Sequence, residues 1–422
     1  MSAQSHPATP RPPLNIAIAG AGLLGRLLAW QLARAGHTVE VFDLAPGPQV
    51  RGATGWTAAG MLSPVSELEC ADANVYQLGL RSLQLWPELL AGLPAVPAAP
   101  FAGEDGGPLR PVDLRAQGSL LLAHRGDEGA AARVVDLLAD KAPAGHAPRR
   151  VDLQELTALE PDIRGPAHAW LLEGEGQIDT WQAMAALALG AQAAGARFHW
   201  GRTVERAEPG ALHTDQGVVR ADWVFDVRGT GARPQLAVRG VRGEIVHLHA
   251  PGLRLNRPLR LLHPRHRVYI VPRAGDRVLV GASEIESEDR SPISLRTSVE
   301  LMAAAHSVLP ALAEARVVFT DTNLRPALPD NLPVLHTQPG LTQVNGLFRH
   351  GWLIGPALVE QALAALGGVT GLALGGVTGL ALGGVPGLAL GGVPGHALGQ
   401  APTPSTPASP APAPEAPSET SA

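Results

Sequence analysis

The sequence predicts a mixed α/β fold in which a parallel strand–helix–strand core is interrupted by an inserted antiparallel sheet. Three observations carry this expectation. Residues 14–43 read as strand, helix and strand in succession, helical periodicity then yields to strand-rich sequence, and a hairpin pattern occurs far downstream. The first strand is "LNIAIAG", an apolar run of the kind buried on both faces of a parallel sheet. The helix is "LLGRLLAWQLARAG", whose apolar residues recur at helical spacing and whose Gly36 suits a C-terminal cap. "HTVEVFD" alternates toward a second strand. Downstream, "RVYIVPRAGDRVLVGASE" reads as two antiparallel strands around a turn holding Gly275 and Asp276, and "RTVERAEPGALHTDQGVVRADWVFDVRGTG" is strand-rich.

Composition narrows the function classes. Of 422 residues, 45% are hydrophobic and 17% charged, enough for one large or two smaller globular units. The net charge of -5 offers nothing to attract nucleic acid or an anionic membrane surface. Cys70 is the single cysteine, which rules out an intrachain disulfide and a cysteine-built metal cluster and fits a reducing cytoplasm. The 15 histidines show no metal-ligand spacing, so no metal is expected. Lys141 is the only lysine, leaving little room for Schiff-base or P-loop chemistry. The opening "MSAQSHPATPRPP" lacks the apolar stretch of a signal peptide, and residues 1–13 are expected to be disordered.

At the other end, "LGGVTGLA" and its variants repeat every eight residues over 366–399, followed by a Pro/Ala/Ser tail at 400–422. Three glycines per repeat weaken any helix, each by about 1 kcal/mol, so a low-complexity tail is expected rather than a membrane span. The folded unit is thereby placed at 14–365.

The most informative short motif is "GAGLLG", in which Gly20, Gly22 and Gly25 form G-x-G-x-x-G between a predicted strand and a predicted helix. Asp43 closes the next strand, 18 residues after Gly25. Glycines there permit a tight turn, close approach of backbone to a pyrophosphate, and tight helix–strand packing. The helix N-terminus favours phosphate, and the acidic residue accepts from ribose hydroxyls. A dinucleotide is expected. Regular βα units stop after the second strand, where "RGATGWTAAGMLSP" supplies small residues suited to backbone lying beside a long ligand. That favours FAD over NAD.

Taken together, "GAGLLG…VFD", "GATGWTAAGML", "VYIVPR…VLVGAS", "NLRPALPDNLPVL" and "GLFRHGWLIGPAL" resemble the D-amino-acid oxidase-like flavoproteins, glycine oxidases in particular, over about residues 14–365. The resemblance implies a Rossmann-like FAD-binding domain (about 14–90, 150–235 and 320–365) with an interleaved antiparallel-sheet substrate domain (about 91–149 and 236–319). It places FAD contacts at Leu23, Leu24, Asp43, Leu44, Thr54, Gly55, Ala59, Gly60, Met61 and Val204. The segment Leu347, Phe348, His350, Gly351, Trp352 and Leu353 would wrap the flavin ring. The substrate carboxylate would be held by Arg325, Arg349 and Tyr269, a role the planar guanidinium fork suits on physical grounds alone.

The chain departs from the family pattern at Leu347, His350, His336 and Arg267, which loosens the substrate assignment but not the flavin. His350 stands open between donating to the flavin and merely packing. No cysteine follows Cys70, so a C-terminal thioether is excluded and non-covalent FAD is expected. The implied reaction is FAD-dependent oxidative deamination of glycine or another small amino acid, with oxygen as acceptor and a role in thiamine thiazole synthesis. Such proteins often form homo-oligomers. The alternatives are a D-amino-acid dehydrogenase passing electrons to quinone, the oxidase part of a tRNA-modifying enzyme, and a flavin-binding subunit without turnover.

Overall fold

The computed structural model describes residues 13–97, 108–263 and 267–370. The expectations for residues 1–12, and for the repeats and tail beyond 370, lie outside them. A six-stranded sheet runs in the order Arg197–Trp200, Thr38–Asp43, Asn15–Ala19, Trp223–Asp226, Leu341–Asn345, Val334–Gln338. Its first five strands are parallel and only the last pair is antiparallel. Side chains alternate across it as a pleated strand requires. Ile16, Ile18, Val39, Val41 and Phe225 join the large core beneath the helices. Ala17, Ala19, Phe42 and Val224 face the other way, against the three-stranded meander Val204–Glu208, Ala211–Thr214 and Gly217–Arg220.

The helix Leu23–Arg34 covers the first face with Thr180–Ala193, Ala73–Leu90 and Gly351–Thr370. It ends as expected, with Gly36 at φ +87°. The closing helix contains Pro356, whose missing N–H leaves the Trp352 carbonyl without its helical donor. The indole N–H of Trp86 takes that place at 3.2 Å, and the Ala357 N–H donates to Ser82 Oγ at 3.1 Å. The neighbouring helix thus repairs the break.

The inserted sheet has eight strands, ordered Arg316–Ala327, Arg239–His249, Arg277–Gly281, Arg267–Arg273, Leu259–Leu262, Ser119–Ala123, His168–Leu172, Arg149–Val151. The expected hairpin is present, Arg273 pairing with Arg277 around Gly275 and Asp276 at φ +74° and +55°.

Two expectations about boundaries need correction. Strands Arg149–Val151, His168–Leu172 and most of Arg316–Ala327 fall in stretches grouped with the cofactor part, yet they pair in the antiparallel sheet. Strand propensity alone cannot name a partner remote in sequence. The closing helix also runs past 365, to Thr370. Its packed face through Leu366 is fully buried and carries the first repeat residues along as a last turn, overriding their glycine content.

Candidate active site

One continuous cavity of about 1190 Å³ runs, among the described residues, from the glycine turn of the parallel sheet to the inner face of the antiparallel sheet. This slightly exceeds the roughly 300–1,000 Å³ of common ligand pockets, as a dinucleotide plus a small substrate requires.

The glycine turn is built by steric need. Gly20 sits at φ +101°, and a Cβ there would lie 2.8 Å from the Val227 carbonyl oxygen. A Cβ on Gly25 would lie 1.8 Å from the Gly20 oxygen, so Gly25 is excluded from the cavity wall and serves close packing. Gly22 caps the helix with no side-chain acceptor and no acidic residue follows in the first turn. The positive end of the helix dipole at Leu23 and Leu24 therefore faces the cavity uncompensated, which fits a pyrophosphate. Asp43 accepts from the Ala21 N–H at 2.5 Å and the Ala45 N–H at 2.7 Å. Its carboxylate braces the turn and keeps lone pairs for hydroxyl donors.

Arg26, immediately after the motif, is buried and donates to the carbonyls of Ala21, Met184 and Pro48 at 2.7, 2.6 and 2.9 Å. Burial lowers its pKa to about 10, with Asp43 opposing. One guanidinium thereby ties the turn, the helix Thr180–Ala193 and the loop before Thr54 together. Thr54 donates to the Leu324 carbonyl at 2.8 Å, and Gly55 accepts from the Trp352 indole at 3.1 Å. Gly60 lies at φ +64° where a Cβ would meet the Ile178 oxygen at 2.2 Å. Ala59 and Met61 flank it on the cavity wall, Leu44 stands exposed at the rim, and the Val204 carbonyl accepts from Arg228 at 2.7 Å.

At the other end, Tyr269 and Arg325 lie flat on the antiparallel sheet. They fit because their neighbours are glycine: a Cβ on Gly281 would sit 2.6 Å from the Tyr269 ring, and one on Gly243 would sit 2.6 Å from the Arg325 guanidinium. Arg325 donates to the carbonyls of Arg242 and Ser283 at 3.2 and 3.0 Å. Burial lowers its pKa and raises that of Tyr269.

The segment 347–353 arrives from the parallel sheet through Gly346 at φ +75° and Phe348 at φ +47°. The Phe348 N–H donates to the Pro326 carbonyl at 2.9 Å, and Gly351 opens the closing helix. This geometry turns Arg349 toward Tyr269 and Arg325, and its positive charge helps lower the pKa of Arg325. Leu347, His350, Trp352 and Leu353 line the wall beside it.

Glu67 is the cavity residue the sequence reading missed, since one acid in "SELE" carries no local signal. It ends the short helix Pro64–Glu67 and lies 3.2 Å from Arg349 Nε and 3.2 Å from His350 Nδ1. Burial would raise its pKa, but Arg349, His350 and Arg260 together hold it well below the usual carboxylate range. Glu67 in turn raises the pKa of Arg349 despite burial. Glu284 is 3.4 Å from Arg349, and Arg267 donates to Cys70 Sγ at 2.9 Å. Of the departures noted above, Leu347, His350 and Arg267 line the cavity, whereas His336 is exposed on the edge strand Val334–Gln338.

Comparison with known proteins follows this geometry. The model of the DAO family, described as FAD dependent oxidoreductase, matches residues 15–365. The protein named thiamine biosynthesis oxidoreductase ThiO of Rhizobium etli is 37% identical over 356 residues, covering 84% of this chain and 96% of its own. Glycine oxidase of Geobacillus kaustophilus is 28% identical over 362 residues, covering 81% and 90%. The crystal structure of a glycine oxidase from that organism superposes with a TM-score of 0.69 at 26% identity, over 84% of this chain and 95% of that one. Among the described residues no helix is long and apolar enough to cross a membrane. The chain belongs to the DAO family of FAD-dependent oxidoreductases.

Proposed function

We propose that the chain oxidises the Cα–N bond of glycine or a similarly small amino acid to an imine, which water converts to an oxo acid and ammonia. One observation carries this reading: Tyr269, Arg325 and Arg349 converge from three separate segments on the same cavity that holds the glycine turn. Two guanidiniums and a phenol suit a carboxylate, and a buried carboxylate is held more strongly than one in water. FAD, when bound, supplies the hydride acceptor and passes electrons onward, for which we assign molecular oxygen.

The FAD would be held without a covalent bond by Gly20, Gly22, Leu23, Leu24 and Asp43 at its phosphate and ribose end, by Thr54, Gly55, Ala59, Gly60 and Met61 along its length, by Val204 near adenine, and by residues 347–353 around the ring. Arg325 and Arg349 bind and orient the substrate carboxylate, while Trp352, Leu353 and Tyr269 keep water from the reacting carbon. The ThiO relative is named for thiamine biosynthesis, which supports feeding the glycine product into thiazole formation.

The test mixes purified holoenzyme anaerobically with glycine, sarcosine and D-amino acids and follows bleaching of the oxidised flavin band. Bleaching by glycine, with KM raised at least 100-fold in Arg349→Ala while flavin stays bound, is the expected result. A flavin that no amino acid bleaches sinks the reading.

A further inference from the structure

We propose that the Glu67 carboxylate receives the substrate's α-ammonium group while Arg325 and Arg349 hold its carboxylate, so that Glu67 selects amino acids over amine-free acids. The inference rests on the oxidase reading above and adds the recognition element which that reading lacks.

The geometry is set by the clamp. Glu67 lines the cavity, and its Oε2, itself buried, lies 3.2 Å from Arg349 Nε. In an α-amino acid the nitrogen and the nearer carboxylate oxygen are only about 2.7 Å apart, across three bonds (N–Cα, Cα–C and C–O) and the angles between them. A substrate gripped by Arg349 therefore carries its ammonium into the neighbourhood of Glu67.

The charges around the acid agree. Arg260 and Tyr269 face Glu67 from the antiparallel sheet, Arg325 from the strand Arg316–Ala327, and Arg349 with His350 from the segment before the closing helix. Glu284 and Cys70 flank Arg349 on its other side. Held ionised in this company, Glu67 is a poor proton acceptor but a permanent anion. A second carboxylate entering the clamp adds like charge beside Glu67. An ammonium group on the same molecule offsets that repulsion, and an amine-free acid cannot.

This arrangement also stabilises the charged amine. Its lone pair must be free before the Cα–H bond breaks, so the ammonium proton departs first, to solvent. Glu67 thus trades reactivity at low pH for affinity, and the flavin reduction rate climbs along a pH limb that belongs to the bound amine.

The experiment compares wild type with Glu67→Gln as holoenzymes, using the amino acid that bleaches the wild-type flavin and glycolate as its amine-free counterpart. In Glu67→Gln the amino acid is expected to bind roughly tenfold more weakly while glycolate binds equally or more tightly. The limb of anaerobic reduction against pH is expected to move toward acid by about one unit. Should Glu67→Gln lose its flavin, Glu67→Asp carries the same comparison, its shorter arm weakening the amino acid more than glycolate. Equal shifts for both ligands with an unmoved limb reduce Glu67 to a counter-ion of Arg349 and overturn the proposal alone. Failure of every amino acid to bleach the wild-type flavin removes the oxidase reading, and the inference goes with it.

Discussion

Gly243 and Gly281 show how a proposed binding side chain depends on a residue that binds nothing. Each clears the space in which an arginine or tyrosine lies against the sheet. Gly243→Ala would put a methyl group 2.6 Å from the Arg325 guanidinium, the far end of a flexible side chain. The side chain can swing away, so the fold is expected to survive with a melting temperature within a few degrees of wild type. The clamp is not, and KM for the amino acid is expected to rise about tenfold or more with flavin content unchanged. Steady-state kinetics beside a thermal melt checks both halves. Little of this was readable beforehand. The motifs pointed to Tyr269, Arg325 and Arg349, but Gly243 gains meaning only when a strand distant in sequence brings Arg325 over it, and Gly281 only through the register of the hairpin. Glu67 escaped for the same reason, its partner Arg349 being brought to it by the fold.

The short helix Pro64–Glu67 has too few residues to hold itself in place. Its anchor is Glu175, fully buried, which accepts from the Ser66 N–H at 2.7 Å, from Ser66 Oγ at 3.0 Å and from Ser119 Oγ. Burial raises the Glu175 pKa from 4.5 to about 7, against the hydrogen bonds from Ser119 and Ser66 that lower it. The sign follows directly. The folded protein binds this proton more tightly than the unfolded chain, so the protonated form favours folding at low pH, and that advantage is lost as pH rises through about 7. Between pH 4.5 and 7 the loss is of the order of 3 kcal/mol. Thermal melts across that window should show a decline in wild type that Glu175→Gln flattens. Elements of this size are where sequence reading is weakest. The helix Leu23–Arg34 and the hairpin at Gly275 were clear from periodicity and turn chemistry, because their determinants are local. The helix Pro64–Glu67 and the eight-strand order were not, because their determinants are contacts made across the chain.

The two sheets are interleaved in sequence, yet the cavity joins them into one working site. All of the described elements end by Thr370, and the family match ends at 365. A chain stopped after Thr370 is therefore expected to keep its melting temperature, flavin content and turnover. A loss in any of these would assign the repeats a part in folding or catalysis. The strand order carries one further consequence, for biosynthesis. Asn15–Ala19 lies at the centre of its sheet, with Thr38–Asp43 on one side and Trp223–Asp226 on the other. During translation the glycine turn thus emerges long before Trp223–Asp226, one of the two strands that flank it, and Leu347 to Leu353 emerge later still. The proposed flavin cradle is complete only once Leu347 to Leu353 have left the ribosome, so flavin capture is expected late in synthesis or after it. Nascent chains expose a hydrophobic parallel edge throughout that interval, so co-expressed chaperones are expected to raise soluble yield.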